Sequence, residues 1–132
     1  LRFLAPRRNF TIEDAVRLSQ LDYDREMAFV AIAPDGSLAG VSRLACDRDG
    51  QAAEYALIVR SDLTGRGLGT VLMTRLIDYA RASGLDRLHG MVLAENHGML
   101  ALIQRLGFTV APVQDEQGVV MTQLRLTPPQ RD

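Results

Sequence analysis

The chain runs to 132 residues, 47% hydrophobic and 23% charged, the mixture of a packed globular domain, which excludes a disordered polar chain. Fifteen basic against sixteen acidic side chains give a formal net charge of -1, and this excludes the broad basic footprint of sequence-independent nucleic-acid binding. A single cysteine, Cys46, excludes an internal disulfide framework and a multi-cysteine zinc site, and it suits a reducing, cytoplasmic setting.

No apolar run approaches the ~20 residues of a membrane span, and Leu1-Arg2-Phe3 opens no signal-peptide pattern. One soluble domain over residues 1–132 is expected, with no metal site and no membrane or nucleic-acid partner. Because Leu1 falls within an amphipathic stretch, the chain reads as a segment of a longer polypeptide.

Thr11-Ile12-Glu13-Asp14 has the form of a helix start, and the apolar spacing after it predicts a short helix to about Leu21. Met27 to Ala33 reads as a strand, Pro34-Asp35-Gly36-Ser37 as a turn, and Leu38 to Cys46 as a second strand. Asp47-Arg48-Asp49-Gly50 supplies another tight turn before a third strand from Ala53 to Arg60 that carries Glu54. The period then changes. Leu68, Leu72, Leu76 and Tyr79 mark a helix from about Gly67 to Ala82, stopped by Ser83-Gly84. Leu88 to Leu93 is a further strand, and Asn96 is a good N-cap for a second amphipathic helix that Gly107 ends. Phe108 to Val113 and Val119 to Leu126 close the domain as a hairpin around Asp115-Glu116-Gln117-Gly118.

One helix of suitable length joins the strand from Ala53 to the strand from Leu88, so these two are predicted to be parallel through a right-handed crossover. The other neighbours are hairpins. The class is therefore α/β, a mixed, mostly antiparallel sheet with helices on its faces, and ligands in such sheets favour the crevice beyond the carboxyl ends of the parallel strands.

Gly65-Arg66-Gly67-Leu68-Gly69-Thr70 lies where that crevice opens. Glycines permit a tight loop whose successive N–H groups converge on phosphate oxygens, helped by the positive end of the following helix. The competing reading is a glycine-rich turn that lets strand and helix pack closely. A P-loop needs Gly-Lys-Ser/Thr, yet all the basic residues here are arginine. A dinucleotide fold needs Gly-x-Gly-x-x-Gly directly after a strand, whereas here the spacing is Gly-x-Gly-x-Gly and Ser61-Asp62-Leu63-Thr64 intervenes.

Thr64 to Gly69 resembles the diphosphate loop of the GNAT acetyltransferases. Val92-Leu93-Ala94-Glu95-Asn96 leading to Leu106-Gly107-Phe108 resembles their second block. The two blocks occur in order and at the family's separation. A closer resemblance, over nearly the whole chain, is to the GNAT domain of bacterial protein lysine acetyltransferases, often fused to an acyl-CoA-synthetase-like region. It rests on Asp22-Tyr23-Asp24-Arg25-Glu26-Met27-Ala28, Ala53-Glu54-Tyr55-Ala56, Val59-Arg60-Ser61-Asp62-Leu63 and Glu95-Asn96-x-x-Met99-Leu100. The resemblance implies a GNAT fold whose central parallel strands splay around acetyl-CoA, with the first strand and most of the first helix missing.

It also implies roles. Presenting a lysine amine in neutral form at pH 7 costs about 4 kcal/mol, and Glu54 stands where the family's general base takes that proton, directly or through a water. A backbone N–H near Ile58-Val59 is the expected donor to the thioester oxygen. Ile58, Val59, Thr64, Gly65, Arg66, Gly67, Leu68, Gly69, Thr70 and Asn96 form the expected acetyl-CoA-binding set. Asp22, Asp24 and Glu26 are weaker candidates that shape the acceptor groove, and Glu26 can pair with Arg43 across the hairpin. Two positions depart from the family: Ile103 stands where many relatives carry a tyrosine general acid, and Thr64 where they carry arginine or glutamine. Cys46, His89 and His97 lack a supporting constellation and read as structural or solvent-facing, His97 also as a neighbour of bound CoA. The implied activity is acetyl-CoA-dependent acetylation of a protein lysine, for example of an acyl-CoA synthetase, under a fused regulatory domain. The alternatives are a small-molecule amine acetyltransferase and a CoA-binding regulatory module with little turnover.

Overall fold

Apolar alternation and the turn residues between strands set the first half of the molecule. The computed structural model describes residues 2–4, 26–63, 65 and 67–127. The helix predicted over 11–21, together with Asp22, Asp24, Thr64 and Arg66, lies outside the described residues. Strand β2 (Glu26–Ile32) turns at Pro34–Ser37 into β3 (Leu38–Cys46), and β3 turns at 47–51 into β4 (Ala52–Val59). Gly36 and Gly50, both with positive φ, make the two turns. Asp35 Oδ1 accepts from the Ser37 N–H at 2.9 Å and from its hydroxyl at 2.6 Å, which holds the Asp35 carboxyl below the usual carboxylate range.

Helix α1 (Leu68–Ala82) follows a single 3-10 turn (Ser61–Leu63), then β5 (Arg87–Leu93), helix α2 (His97–Arg105), β6 (Thr109–Val113) and β7 (Glu116–Arg125). Among the described residues seven strands form one sheet in the order β1-β2-β3-β4-β5-β7-β6, where β1 is Arg2–Leu4. The short β1 pairs antiparallel with β2, an edge strand where the sequence led us to expect none. Three residues are too few for alternation to register. The hairpin of β6 and β7 is tighter than predicted: Val113 pairs with Glu116, and Asp115, at φ 63°, takes the left-handed turn position that Asp tolerates. Strand β7 inserts between β5 and β6 instead of stacking on the outside.

Helices α1 and α2 pack on one face of the sheet. Met73, Leu76, Ile77 and Ala80 of α1 and Ile103 of α2 share a core with Leu44, Ala53, Tyr55, Leu88 and Leu124 of the strands. The contact is close because side chains are small where α1 crosses β3. A Cβ at Gly40 would fall 2.9 Å from Leu72 Cδ1. Beside it, the buried Ser42 hydroxyl donates to the Leu72 carbonyl at 3.0 Å and fastens the helix to the strand.

The parallel pairing of β4 with β5 is as predicted, but it is short. It runs only through Ala52↔Arg87, Ala53↔Leu88 and Glu54↔His89. On its other edge β4 stays paired with β3 as far as Val59↔Gly40, and β5 stays paired with β7 as far as Leu93↔Val119. The two strands therefore part after Glu54 and His89, and a cleft opens toward their carboxyl ends. Tyr55, the first residue past the fork, is buried, with its ring against Gly90 and 5.1 Å from the ring of Phe108. Its hydroxyl bonds Thr122 Oγ1, which in turn donates to the Gly90 carbonyl at 2.8 Å.

Candidate active site

The cleft between β4 and β5 continues as a groove of about 730 Å³, within the range of small-molecule and cofactor sites. Its strand wall is Leu57, Ile58 and Val59, and its helix wall is the α2 face that carries Asn96, Gly98, Ala101 and Leu102. Gly65, Gly67, Gly69 and Thr70 close the end between them.

The glycines of this end have two separate jobs. Gly65 and Gly67 have φ of 80° and 82°, and a Cβ on either would meet nothing within 4 Å. They are glycines for conformation, placed where the chain takes positive φ beside the groove. Gly69 lies inside α1, and a Cβ there would fall 2.8 Å from Leu102 Cδ1 and 3.4 Å from Leu57 Cδ2. It is a glycine for packing, and it brings α2 against the start of α1. The close-packing reading of the loop therefore holds at Gly69, whereas Gly65 and Gly67 answer a conformational need.

The two helix starts differ in the same way. Asn96 caps α2, its side-chain oxygen accepting from the Met99 N–H at 3.1 Å. Helix α1 begins at Gly67 with no side-chain cap and no acidic residue in its first turn. The first N–H groups of a helix have no intrahelical acceptor, so at Leu68, Gly69 and Thr70 an uncapped positive helix end faces the groove, which suits an anion. Arg60 steadies the approach to this loop: its guanidinium donates to Asp62 Oδ1 and to Ser37 Oγ, both at 2.7 Å.

Glu54 is exposed and is the last residue of β4 paired to β5. It projects from the face opposite the helices, with Ala56 and Ile58 following on that face, Ile58 being 70% exposed. Among the described residues no cation pairs with Glu54. It stands at the fork and is not part of the groove wall, about 13 Å from Ile58 along the strand at ~3.3 Å per residue. Glu26 is committed elsewhere, since Arg43 donates to it at 3.1 Å, the cross-hairpin pair expected from the sequence. His89 lies beside Glu54 in register, its Nε2 3.0 Å from Asp47 Oδ2. His97 is exposed at the start of α2, and Cys46 is half-buried at the end of β3.

Position 103 does not face the groove. Ile103 is fully buried in the main core, so an isoleucine there is a packing residue, and among the described residues the polar side chains on the groove wall are Thr70, Asn96 and Arg105. Arg105 was not singled out from the sequence. The signal was available: Gly98, Ala101 and Arg105 recur at helical spacing, two small residues and a cation along one stripe of α2. Burial raises the Tyr55 hydroxyl above the ordinary tyrosine range, with the hydrogen bond between it and Thr122 opposing the shift. Among the described residues no helix is long and apolar enough to cross a membrane.

Residues 3–108 match the family described as the acetyltransferase (GNAT) family. An acetyltransferase of Pseudomonas aeruginosa, PA5475, is 39% identical over 114 residues, covering 83% of this chain and 61% of the relative. A mycothiol acetyltransferase of Clavibacter michiganensis is 37% identical over 97 residues, covering 74% of this chain and 31% of the relative. Among solved structures, a cAMP-binding acyltransferase from Mycobacterium smegmatis superposes with a TM-score of 0.71 at 27% identity, over 91% of this chain and 37% of that one. The chain thus spans about three-fifths of the first relative's length and about a third of the others'.

Proposed function

The chain belongs to the GNAT acetyltransferases, enzymes that use acetyl-CoA as co-substrate, and from that premise we propose that it moves the acetyl group of acetyl-CoA to a protein lysine side chain. The observation that carries this reading is the uncapped start of α1 at the closed end of a groove that leads to the β4–β5 fork. The diphosphate rests on the amides of Gly65 and of Gly67 to Thr70. The pantetheine arm runs between Val59 and α2 beside Asn96, so the thioester enters the cleft where the two strands part.

The acceptor amine approaches from the Glu54 face. Glu54 accepts its proton through water, because the fork lies well back along the strand from Ile58. A main-chain N–H of residues 58–59 that faces the gap donates to the thioester oxygen as charge builds there. The amine nitrogen bonds the carbonyl carbon, the carbon–sulfur bond breaks, and the thiolate, with a conjugate-acid pKa of about 8.5, leaves without a general acid. The buried Ile103 fits a site that works without that acid.

A protein acceptor is favoured by the lysine-acetyltransferase signature around Glu54 and by the exposure of Ile58, Met91 and Leu93 on the sheet. The similarity to a mycothiol acetyltransferase favours a second reading, a small-molecule amine acceptor. Incubation with labelled acetyl-CoA, followed by mass spectrometry of synthetases and assay of small amines, separates the two. One specifically modified lysine supports the first, and turnover with small amines alone supports the second. Glu54→Gln is expected to lower kcat about 10²–10⁴-fold while leaving acetyl-CoA binding unchanged. Full turnover in that variant refutes the general-base role.

A further inference from the structure

We propose that the cross-strand pair of Arg87 and Arg125, on the sheet face opposite α1 and α2, recognises an acidic side chain that flanks the acceptor lysine. The proposal rests on the protein-acceptor reading above and adds which acceptor sequences the site selects. Arg87 of β5 stands in register with Arg125 of β7, and both are exposed. Along β5 the buried Leu88, Gly90 and Val92 face the core, so Arg87 projects from the other face together with His89 and Met91. Two cations directly opposite each other repel, and among the described residues no ion pair engages either one. The acid on the same row of the sheet is already engaged. Asp47 lies across from Ala52, the β4 partner of Arg87, and its carboxylate accepts from His89 Nε2 at 3.0 Å. The arginine pair is left with charge for a partner to neutralise.

Position ties the pair to the acceptor. Glu54 is in register with His89, two residues on from Arg87 and on the same face. At ~3.3 Å per residue along a strand and ~4.8 Å between strands, the backbones of Arg87 and Glu54 are about 8 Å apart. An extended acceptor segment advances by a similar step per residue, so a side chain about two residues from a lysine held at Glu54 falls over the arginines. On the other side of the Glu54 row stand the exposed Ile58, Met91 and Leu93. The face thus offers a carboxylate flanked by guanidinium groups on one side and apolar side chains on the other. Its complement is a lysine with an acidic residue on one flank and an apolar residue on the other, because a guanidinium presents a planar fork of donors that matches a carboxylate.

Synthetic peptides with one central lysine test this, with CoA release as the readout. In the first set aspartate fills the positions on one side of the lysine and leucine those on the other, in both orders. In the second set asparagine replaces aspartate. The chain is expected to show a KM about tenfold lower for the better aspartate peptide than for its asparagine counterpart, a preference that fades in high salt. The double variant Arg87→Gln, Arg125→Gln is expected to lose that preference and to turn over the asparagine peptides within about twofold of wild type. The double variant Arg87→Lys, Arg125→Lys is expected to keep most of the preference. Equal KM for aspartate and asparagine peptides overturns the proposal and leaves the protein-acceptor reading standing, as does a preference that survives the glutamine variant. Loss of turnover with both sets in the glutamine variant marks a structural role and likewise overturns it. Failure of the wild type to acetylate any peptide overturns the proposal and, where small amines turn over, the protein-acceptor reading as well.

Discussion

The ring of Tyr55 lies across the backbone of Gly90: a Cβ on Gly90 would stand 2.8 Å from Tyr55 Cε1 and 3.1 Å from two further ring atoms. Tyr55 is the first β4 residue past the last β4–β5 pair, and its hydroxyl reaches beyond β5 to Thr122 on β7. The aromatic side chain thus occupies the core beneath the two strands at the place where they separate. Absence of a side chain at Gly90 is what lets the ring pass.

Gly90→Ala tests that relationship. The contact is with a ring clamped by Phe108 and Thr122, so neither side can yield without repacking. The expected cost is about 1–3 kcal/mol of stability, read as a lower urea midpoint, together with weaker acetyl-CoA binding as the fork shifts.

The buried hydroxyl gives an alkaline signature. Its folded-state pKa is raised, so the folded chain holds this proton more tightly than the unfolded chain does. The stabilisation is complete below the unfolded value of about 10 and is lost as pH climbs from there through the folded value. Urea midpoints of the wild type are expected to fall between pH 9 and pH 11 (about one unit either side of that value). Tyr55→Phe cannot ionise and is expected to fall less, after a cost of about 1 kcal/mol at neutral pH for the lost hydrogen bond.

Gly67→Ala and Gly69→Ala separate conformation from packing. At Gly67, φ is 82° with open space around the position, so alanine is expected to cost about 1 kcal/mol or more in backbone strain and to misdirect the loop amides. At Gly69 the backbone is helical and the colliding atom is the end of the Leu102 side chain. Alanine there is expected to leave stability within about 1 kcal/mol of wild type, since the helix gains roughly what the packing loses. Acetyl-CoA affinity is expected to fall in both variants, while the thermal midpoint falls mainly in the first.

Asn96 has a cap to lose. Asn96→Ala is expected to cost about 1 kcal/mol because the Met99 N–H loses its acceptor, and Asn96→Asp is expected to keep the cap. If the Asp variant restores the thermal midpoint but not acetyl-CoA affinity, Asn96 contacts the donor in addition to capping α2.

Much of the site was legible because its signals are local. Gly65 and Gly67 announce positive φ, Asn96 announces a helix start, and the period change after Val59 announces a helix between parallel strands. Ile103 and Arg105 were harder. Both lie on α2 at amphipathic spacing, and only packing against Tyr55 and Phe108 on one side and Gly69 on the other decides that Ile103 faces the core and Arg105 the groove.

From its own residues the chain determined the kinds of element, most of their limits, the crossover joining β4 to β5 and the shape of the glycine loop. These follow from φ preferences, caps and hydrophobic periods, which act over a few neighbouring residues. Tertiary structure alone decided that β7 lies between β5 and β6, that β1 finds an edge, and that β4 and β5 part after Glu54. Those outcomes depend on partners far apart in the chain, such as Tyr55 and Thr122, separated by 67 positions. A strand's pattern shows which of its faces is buried but not which neighbour lies beside it.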